Sequence, residues 1–213
     1  MKILYLDTSS SFLYAGIVDD DNLLASISKD FGRDLSTHTL SEIRNLFSSS
    51  KISTDSVDKI IVVNGPGSFT GIRIGLTIAK TYAWSLNIKI STISSLDAMA
   101  LSSADHDYYI PIIDARRGYV YAGIYNKEYK NVLTGRYIKL DQLLKELDSL
   151  SGTKQIITND KFDLNMTSIP YKPDILKIVK AFKEKENINP HGIDALYLKL
   201  TEAEENKLVK KDE

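Results

Sequence analysis

Ile3-Leu4-Tyr5-Leu6-Asp7-Thr8-Ser9-Ser10-Ser11-Phe12-Leu13-Tyr14-Ala15-Gly16-Ile17-Val18 opens the chain as two apolar runs around a short polar turn, the pattern of a buried β-hairpin. The same pattern returns in the second half. Ile110 to Asp114 leads into Ala115-Arg116-Arg117-Gly118 and then Tyr119-Val120-Tyr121-Ala122-Gly123-Ile124-Tyr125. Asp7 aligns with Asp114, and Tyr14 to Ile17 with Tyr121 to Ile124, at one common offset without a gap. Two hairpins of similar residue preference could coincide in this way, but the matching aspartate favours duplication.

The elements beyond each hairpin repeat as well. In the first half a third strand near Leu23 to Ser28 precedes an amphipathic helix carrying Leu40, Ile43, Leu46 and Phe47, with Thr39 and Glu42 as its capping box. A buried strand at Lys59 to Val63, a glycine run, a helix to about Leu86, a strand at Lys89 to Ile93 and a helix from Ser94 follow. This order is βββαβαβα. The second half offers strands near Tyr108 to Asp114, Gly118 to Asn126 and Arg136 to Lys139. A helix near Asp141 to Leu147, a strand near Gln155 to Thr158 and a helix from Pro173 to about Glu184 come next, after which the unit is shortened. Ala195 to Leu200 reads as a final strand or helix entry, and Thr201 with Glu204 as a capping box opening a charged tail helix. The polar stretch Ser102 to Asp107 sets the expected boundary, giving units of residues 1–104 and 105–213, with the tail helix expected to pack back on the first.

Gly65-Pro66-Gly67-Ser68-Phe69-Thr70-Gly71-Ile72-Arg73-Ile74-Gly75 joins a strand to a helix. Glycines admit positive φ and close approach, and the first amides of a helix suit an anion. By spacing alone, a phosphate site and a tight turn before a closely packed helix are equally good readings. No Gly-Lys-Ser/Thr ends the run, and the dinucleotide spacing Gly-x-Gly-x-x-Gly is absent. Further along, Gly71, Gly75, Ala79 and Ala83 recur every four residues as a small-residue stripe, with Ile74 and Ile78 on another face. A helix apolar on more than one face needs cover on more than one side, so the stripe is read chiefly as a partner-binding surface, with burial between the chain's own two units as the alternative and anion binding secondary. A bulky residue at Gly75 is then expected to block pairing without unfolding the monomer.

Composition narrows the function. The chain has 213 residues, 43% of them apolar, enough for a sizeable core. With 27 basic against 28 acidic residues there is no whole-molecule field for nucleic acid, and the twelve tyrosines lack a matching basic excess. Cysteine is absent, which removes disulfides and thiol chemistry. MKILYLD turns acidic too early for a signal peptide, and no apolar run spans a bilayer, so a cytoplasmic protein without membrane contact is expected. The only histidines, His38, His106 and His191, form no ligand pair, so no metal site is expected. No Gly-x-Ser-x-Gly nucleophile elbow occurs, which argues against a hydrolase of that type.

Two βββαβαβα units in tandem resemble the actin-like ATPase (ASKHA) architecture, an α/β fold of two ribonuclease-H-like subdomains shared by sugar kinases and heat-shock chaperones. In that architecture, paired Asp-bearing hairpins hold metal and phosphates across a cleft. Here Asp7-Thr8-Ser9-Ser10 lacks the glycine that lets phosphate approach, and Arg116 and Arg117 occupy the other turn. An autonomous ATPase or kinase therefore stands as the alternative rather than the leading reading.

The resemblance becomes specific in ILYLDTSSS, the helix near Thr37-His38-Thr39, NGPGSFTGIRIGLTIAK, SSLDAMA, DARRGYVYAGIY and ALYLKL, which together are similar to the bacterial TsaB family, also called YeaZ. One departure is His38-Thr39-Leu40, where the family usually has His-Ser-Glu. The resemblance implies a non-catalytic pseudo-enzyme subunit in the synthesis of threonylcarbamoyladenosine beside the tRNA anticodon. It implies pairing with and activation of TsaD, the paralogue that carries the metal and performs transfer. TsaE supplies ATPase activity, tRNA is engaged through the complex, and a homodimer is expected in isolation. No tightly bound cofactor is implied, with ATP or ADP expected only at the interface with TsaD. The partner-binding residues so expected are His38, Leu40, Ile43, Phe47, Gly71, Arg73, Ile74, Gly75, Ile78, Ala79 and Tyr82. Candidates for nucleotide or anion contact are Asp7, Thr8, Gly67, Ser68, Thr70, Arg116 and Arg117.

Overall fold

Two five-stranded sheets carry the fold in the computed structural model, which describes residues 1–199. The first contains β1 (Lys2–Asp7), β2 (Phe12–Asp19), β3 (Asn22–Asp30), β4 (Lys59–Val63) and β5 (Lys89–Ile93) in the order β3-β2-β1-β4-β5. The second contains β6 (Tyr108–Asp114), β7 (Tyr119–Asn126), β8 (Asn131–Lys139), β9 (Lys154–Ile157) and β10 (Ser168–Ile169) in the order β10-β9-β6-β7-β8. These orders correspond strand for strand. In each sheet the first three strands are antiparallel, and the last two add in parallel. This is the tandem ribonuclease-H-like, actin-like α/β architecture that the repeat predicts.

Burial explains the strand sequences. Lys59–Val63 is buried along its whole length because a central parallel strand is covered on both faces. β3 lies at an edge, where Asn22, Ser26, Ser28, Lys29 and Asp30 leave it mostly exposed and discourage further pairing.

The duplication needs a correction at its aspartate. Asp7 pairs with Tyr14 and Leu6 with Ala15, whereas Ile113 pairs with Tyr121 and Ile112 with Ala122. The second hairpin therefore holds one extra residue in its turn, and Asp7 corresponds to Ile113, not Asp114. Because strand side chains alternate faces, Asp114 does not take the place that Asp7 holds; it ends β6 at the rim of the sheet.

Among the described residues five helices cover the sheets: α1 (Leu35–Ser50), α2 (Phe69–Ser85), α3 (Ser95–Ala100), α4 (Leu140–Asp148) and α5 (Ile175–Phe182). α1 starts at Leu35, four residues before the expected cap. Thr39 is buried inside it and donates to the Leu35 carbonyl at 2.5 Å, so no capping box forms with Glu42. α1 and α2 pack on the outer face of the first sheet against Leu4, Leu6, Leu13, Ile60 and Val62. α4 covers the outer face of the second, against Ile110, Ile112 and Ile156. Between β9 and β10 there is no counterpart of α2, which is where the second unit is shorter.

The last helix of each unit lies on the other unit's sheet. α3 packs on β6 and β7, while α5 packs on β1, β2 and β3. A Cβ at Gly16 would stand 3.0 Å from Ile175 of α5, and one at Gly135 would stand 2.7 Å from Leu96 of α3. Both glycines are seats for an incoming side chain. One apolar cluster joins the layers, with Tyr5 and Ile61 from the first sheet, Tyr109 and Ile157 from the second, and Leu96 and Ile178 from the crossing helices. After α5 the chain follows the first unit. Lys59 Nζ donates to the carbonyls of Lys183 and Lys185 at 2.9 and 2.5 Å, placing a cation at the carboxyl end of α5. Ala195 to Leu198 is irregular rather than a strand or helix entry. The expected capping box at Thr201 and the tail helix lie outside the described residues.

Candidate functional site

The glycine junction is built for contact within the chain. Gly67 has φ +153°, and a Cβ there would meet the Ser9 carbonyl at 2.2 Å. A Cβ at Gly71 would stand 2.1 Å from the Thr8 carbonyl oxygen, and one at Gly75 would stand 2.4 Å from Thr8 Oγ1. The backbone that the small-residue stripe admits is the chain's own Thr8 to Ser10 turn. Gly71, Gly75, Ala79 and Ala83 all lie on the buried face of α2, as do Ile43 and Phe47 on α1. Gly71, Gly75, Ala79, Ala83 and Ile43 therefore present no surface to a partner, and a bulky residue at Gly75 disturbs the monomer itself.

Amides of the junction are also engaged. Ser68 N–H donates to the Ser9 carbonyl at 2.7 Å, and Gly71 N–H donates to the Ser68 hydroxyl at 3.2 Å, an ordinary helix cap. Thr8 is buried, its hydroxyl donating to the Gly71 carbonyl at 2.7 Å. Thr70 sits on the exposed first turn of α2.

Between the sheets opens a cleft of about 620 Å³, lined among others by Ser9, Ser10, Gly67, Ser68, Arg116 and Tyr171. Of the candidate anion contacts, the fold brings Gly67, Ser68 and Arg116 to this cleft. Arg117 is exposed beyond it, and Asp7 lies beneath it. The Asp7 carboxylate accepts the Ser9 amide at 2.8 Å and the hydroxyls of Tyr5 and Tyr171, each at 3.4 Å. Burial raises its pKa above the ordinary value, opposed by the Ser9 amide. The two buried phenols are raised too, mainly by the same desolvation. Carboxylates of Asp30, Asp114 and Asp160 line the cleft with Arg116 as the cation, a set poorly matched to a polyphosphate. Among the described residues, no group of three or more His, Asp or Glu side chains is placed to hold a metal ion.

A second surface lies on the outer side of α1 and α2. Leu40 is 57% exposed, while Ile74, Ile78 and Tyr82 are half-buried between the two helices and solvent; Trp84, 66% exposed, stands on the other flank of α2 against His191, with ring centroids 6.2 Å apart. Leu40, Phe47, Ile52 and Tyr82 line a groove there. His38 is exposed and stacks on Phe31 with ring centroids 4.9 Å apart. At the amino end of α2, the Arg73 guanidinium lies 3.7 Å from the Phe69 ring centroid, and its Nε donates to the Tyr197 hydroxyl at 3.2 Å. Trp84 is the residue that pattern reading missed. Its signal was present, because Arg73, Thr77, Lys80 and Trp84 follow one helical stripe that is otherwise polar.

A family model described as TsaD, tRNA N6-adenosine threonylcarbamoyltransferase, matches residues 28–198. The tRNA threonylcarbamoyladenosine biosynthesis protein TsaB of Bacillus subtilis (strain 168) is 35% identical, over 96% of this chain and 96% of its own. The chain belongs to the TsaB (YeaZ) family. The protein of the same name from Escherichia coli (strain K12) is 26% identical over 71% of this chain and 68% of its own length. Among solved structures, YeaZ from Pseudomonas aeruginosa superposes with a TM-score of 0.74 at 19% identity, covering 92% of this chain and 99% of that one.

Within this TsaB-family chain the motif residues divide by task. Most of NGPGSFTGIRIG and DTSSS hold each other, through Gly67 on Ser9, Gly71 on Thr8 and Ser68 on Ser9. Ser95 of SSLDAMA ties the junction to α3, donating to the Pro66 carbonyl at 2.5 Å. The Asn64 carbonyl accepts the Leu196 amide of ALYLKL at 2.7 Å, and Lys80 Nζ donates to the Ile193 carbonyl at 2.7 Å. His38, Leu40, Phe47, Arg73, Ile74, Ile78 and Tyr82 are the expected interface residues left with surface to offer.

Proposed function

We propose that this chain is the non-catalytic subunit of the machinery that makes threonylcarbamoyladenosine in tRNA, and that it pairs with and activates the catalytic paralogue TsaD through the outer face of α1 and α2. The observation that carries the pairing is the exposure of Leu40 beside half-buried Ile74, Ile78 and Tyr82 on adjoining helices. Two packed helices with an unfinished apolar face are suited to helices of a partner. Kinship with the transferase family supplies a partner of like fold, and in its absence a second copy of the chain can occupy the same face.

The cleft supports a subunit without catalysis. Its hairpin carboxylate, Asp7, is enclosed by Tyr5, Tyr171 and the Ser9 amide, and its counterpart across the cleft is Ile113. On this reading the chain holds no nucleotide tightly. ATP or ADP is engaged at the junction with TsaD, TsaE supplies hydrolysis, and the complex works in the cytoplasm. No helix among the described residues is long and apolar enough to cross a membrane.

Reconstitution tests the proposal. Modification of unmodified tRNA by TsaD and TsaE should depend on adding this chain, and modification that proceeds equally without it overturns the assignment.

A further inference from the structure

The turn between β6 and β7 has a backbone unsuited to its residues. Arg116 and Arg117 take φ of +69° and +56°, followed by Gly118 at +76°. Consecutive left-handed conformations favour glycine, asparagine or aspartate, and two arginines there are a costly choice for a turn. The fold makes little use of them. Arg116 has an 87% exposed side chain that reaches only Asp114, at 3.4 Å, and Arg117 has no ion pair among the described residues.

A tyrosine ladder lies on the sheet beside this turn. Tyr119, Tyr121 and Tyr137 share one face of β7 and β8, because Tyr119 pairs with Lys139 and Tyr121 with Tyr137. Tyr119 and Tyr137 stack with centroids 4.5 Å apart, and Tyr121 follows at 5.7 Å from Tyr137. All three rings are half-exposed. Lys139 Nζ lies 5.9 Å from the Tyr119 ring and Lys199 Nζ 5.5 Å from Tyr137, neither in an ion pair among the described residues. Of the carboxylates at the cleft mouth, Asp114 faces Arg116 and Asp160 accepts the Asp114 amide at 2.7 Å.

We propose that Arg116, Arg117, Lys139 and Lys199, with the Tyr119–Tyr137–Tyr121 ladder, form a contact surface for an unpaired loop of the tRNA substrate. This rests on the reading that the chain acts in tRNA modification. Stacked rings with flanking cations suit unstacked bases and their phosphates, whereas an acidic protein surface would use the charges and leave the rings idle. The near-neutral whole chain makes this a local contact, one that orients RNA in a complex rather than capturing it alone.

The test measures binding of an unmodified anticodon stem-loop RNA by the full chain, alone and with TsaD, across a salt series. The double variant Arg116→Glu/Arg117→Glu should bind at least about tenfold more weakly, with the log–log salt slope shallower by roughly 1.4 for two lost phosphate contacts. Arg116→Lys/Arg117→Lys should retain most of the binding. Tyr119→Ala should weaken binding without changing the slope, which separates stacking from charge. Thermal unfolding and co-elution with TsaD should be unchanged in every variant. RNA affinity and salt slope that survive the charge reversal overturn the proposal, and so does loss of a protein partner with RNA binding intact. Because the RNA arm is read with and without TsaD, failure of the pairing reading remains separate from failure of this one.

Discussion

A methyl group at Gly71 would stand 2.1 Å from the Thr8 carbonyl oxygen, a backbone atom fixed by its own strand and turn. Gly71→Ala should therefore destabilise the chain by about 2 kcal/mol net, overpacking of about 3 kcal/mol against a helix gain of about 1. Denaturant unfolding of the isolated protein checks this. Asp7 gives a pH signature. Its folded pKa is raised above the ordinary 3.8, so its contribution is fully present below that value and is lost as pH rises through the folded pKa. Asp7→Asn removes this loss, and its stability relative to wild type should improve from pH 3.5 toward neutrality, measured by denaturation at both ends, conditions chosen on the order of the ordinary carboxylate range and above it. A gain that is independent of pH would contradict the assignment. At this scale the sequence showed which residues mattered and less of what they do. Gly67, Gly71 and Gly75 stood out, but spacing cannot say whether the atom that comes close is phosphate, partner or self. The one-residue difference between the hairpin turns was invisible because matching letters conceal a change of register.

At the scale of elements, α1 and α2 each bury one face and leave an apolar margin. Leu40 and Trp84 lie outside the core, so Leu40→Asp and Trp84→Asp should each change folding stability by no more than about 0.5 kcal/mol. Leu40→Asp should nevertheless abolish co-elution with TsaD, and unchanged co-elution by size-exclusion chromatography would remove the α1–α2 groove as the interface. Hydrophobic periodicity located most helices and strands within a few residues, because buried faces impose their period on the sequence. The start of α1 was misplaced by a threonine that mimics a cap but donates to the carbonyl four residues earlier. β10 was missed because two residues, Ser168 and Ile169, carry too little pattern to signal a strand.

Over the whole molecule, the crossing of α3 and α5 makes each sheet's core depend on the other half of the chain. Residues 1–104 expressed alone should lack a cooperative unfolding transition, since α5 no longer covers β1 to β3, and adding 105–213 should restore one. A sharp independent melt of the first fragment would show that the exchange of helices is dispensable. This exchange was not legible in the sequence, which gives the period of a helix but not the sheet on which it settles. It also bears on mechanics. Rotating one sheet against the other would shear Leu96 from its seat at Gly135, Ile175 from its seat at Gly16, and Tyr171 from Asp7. The architecture is that of a jaw, but these crossed struts hold its two sheets at one angle, and whatever it binds meets a template of constant shape.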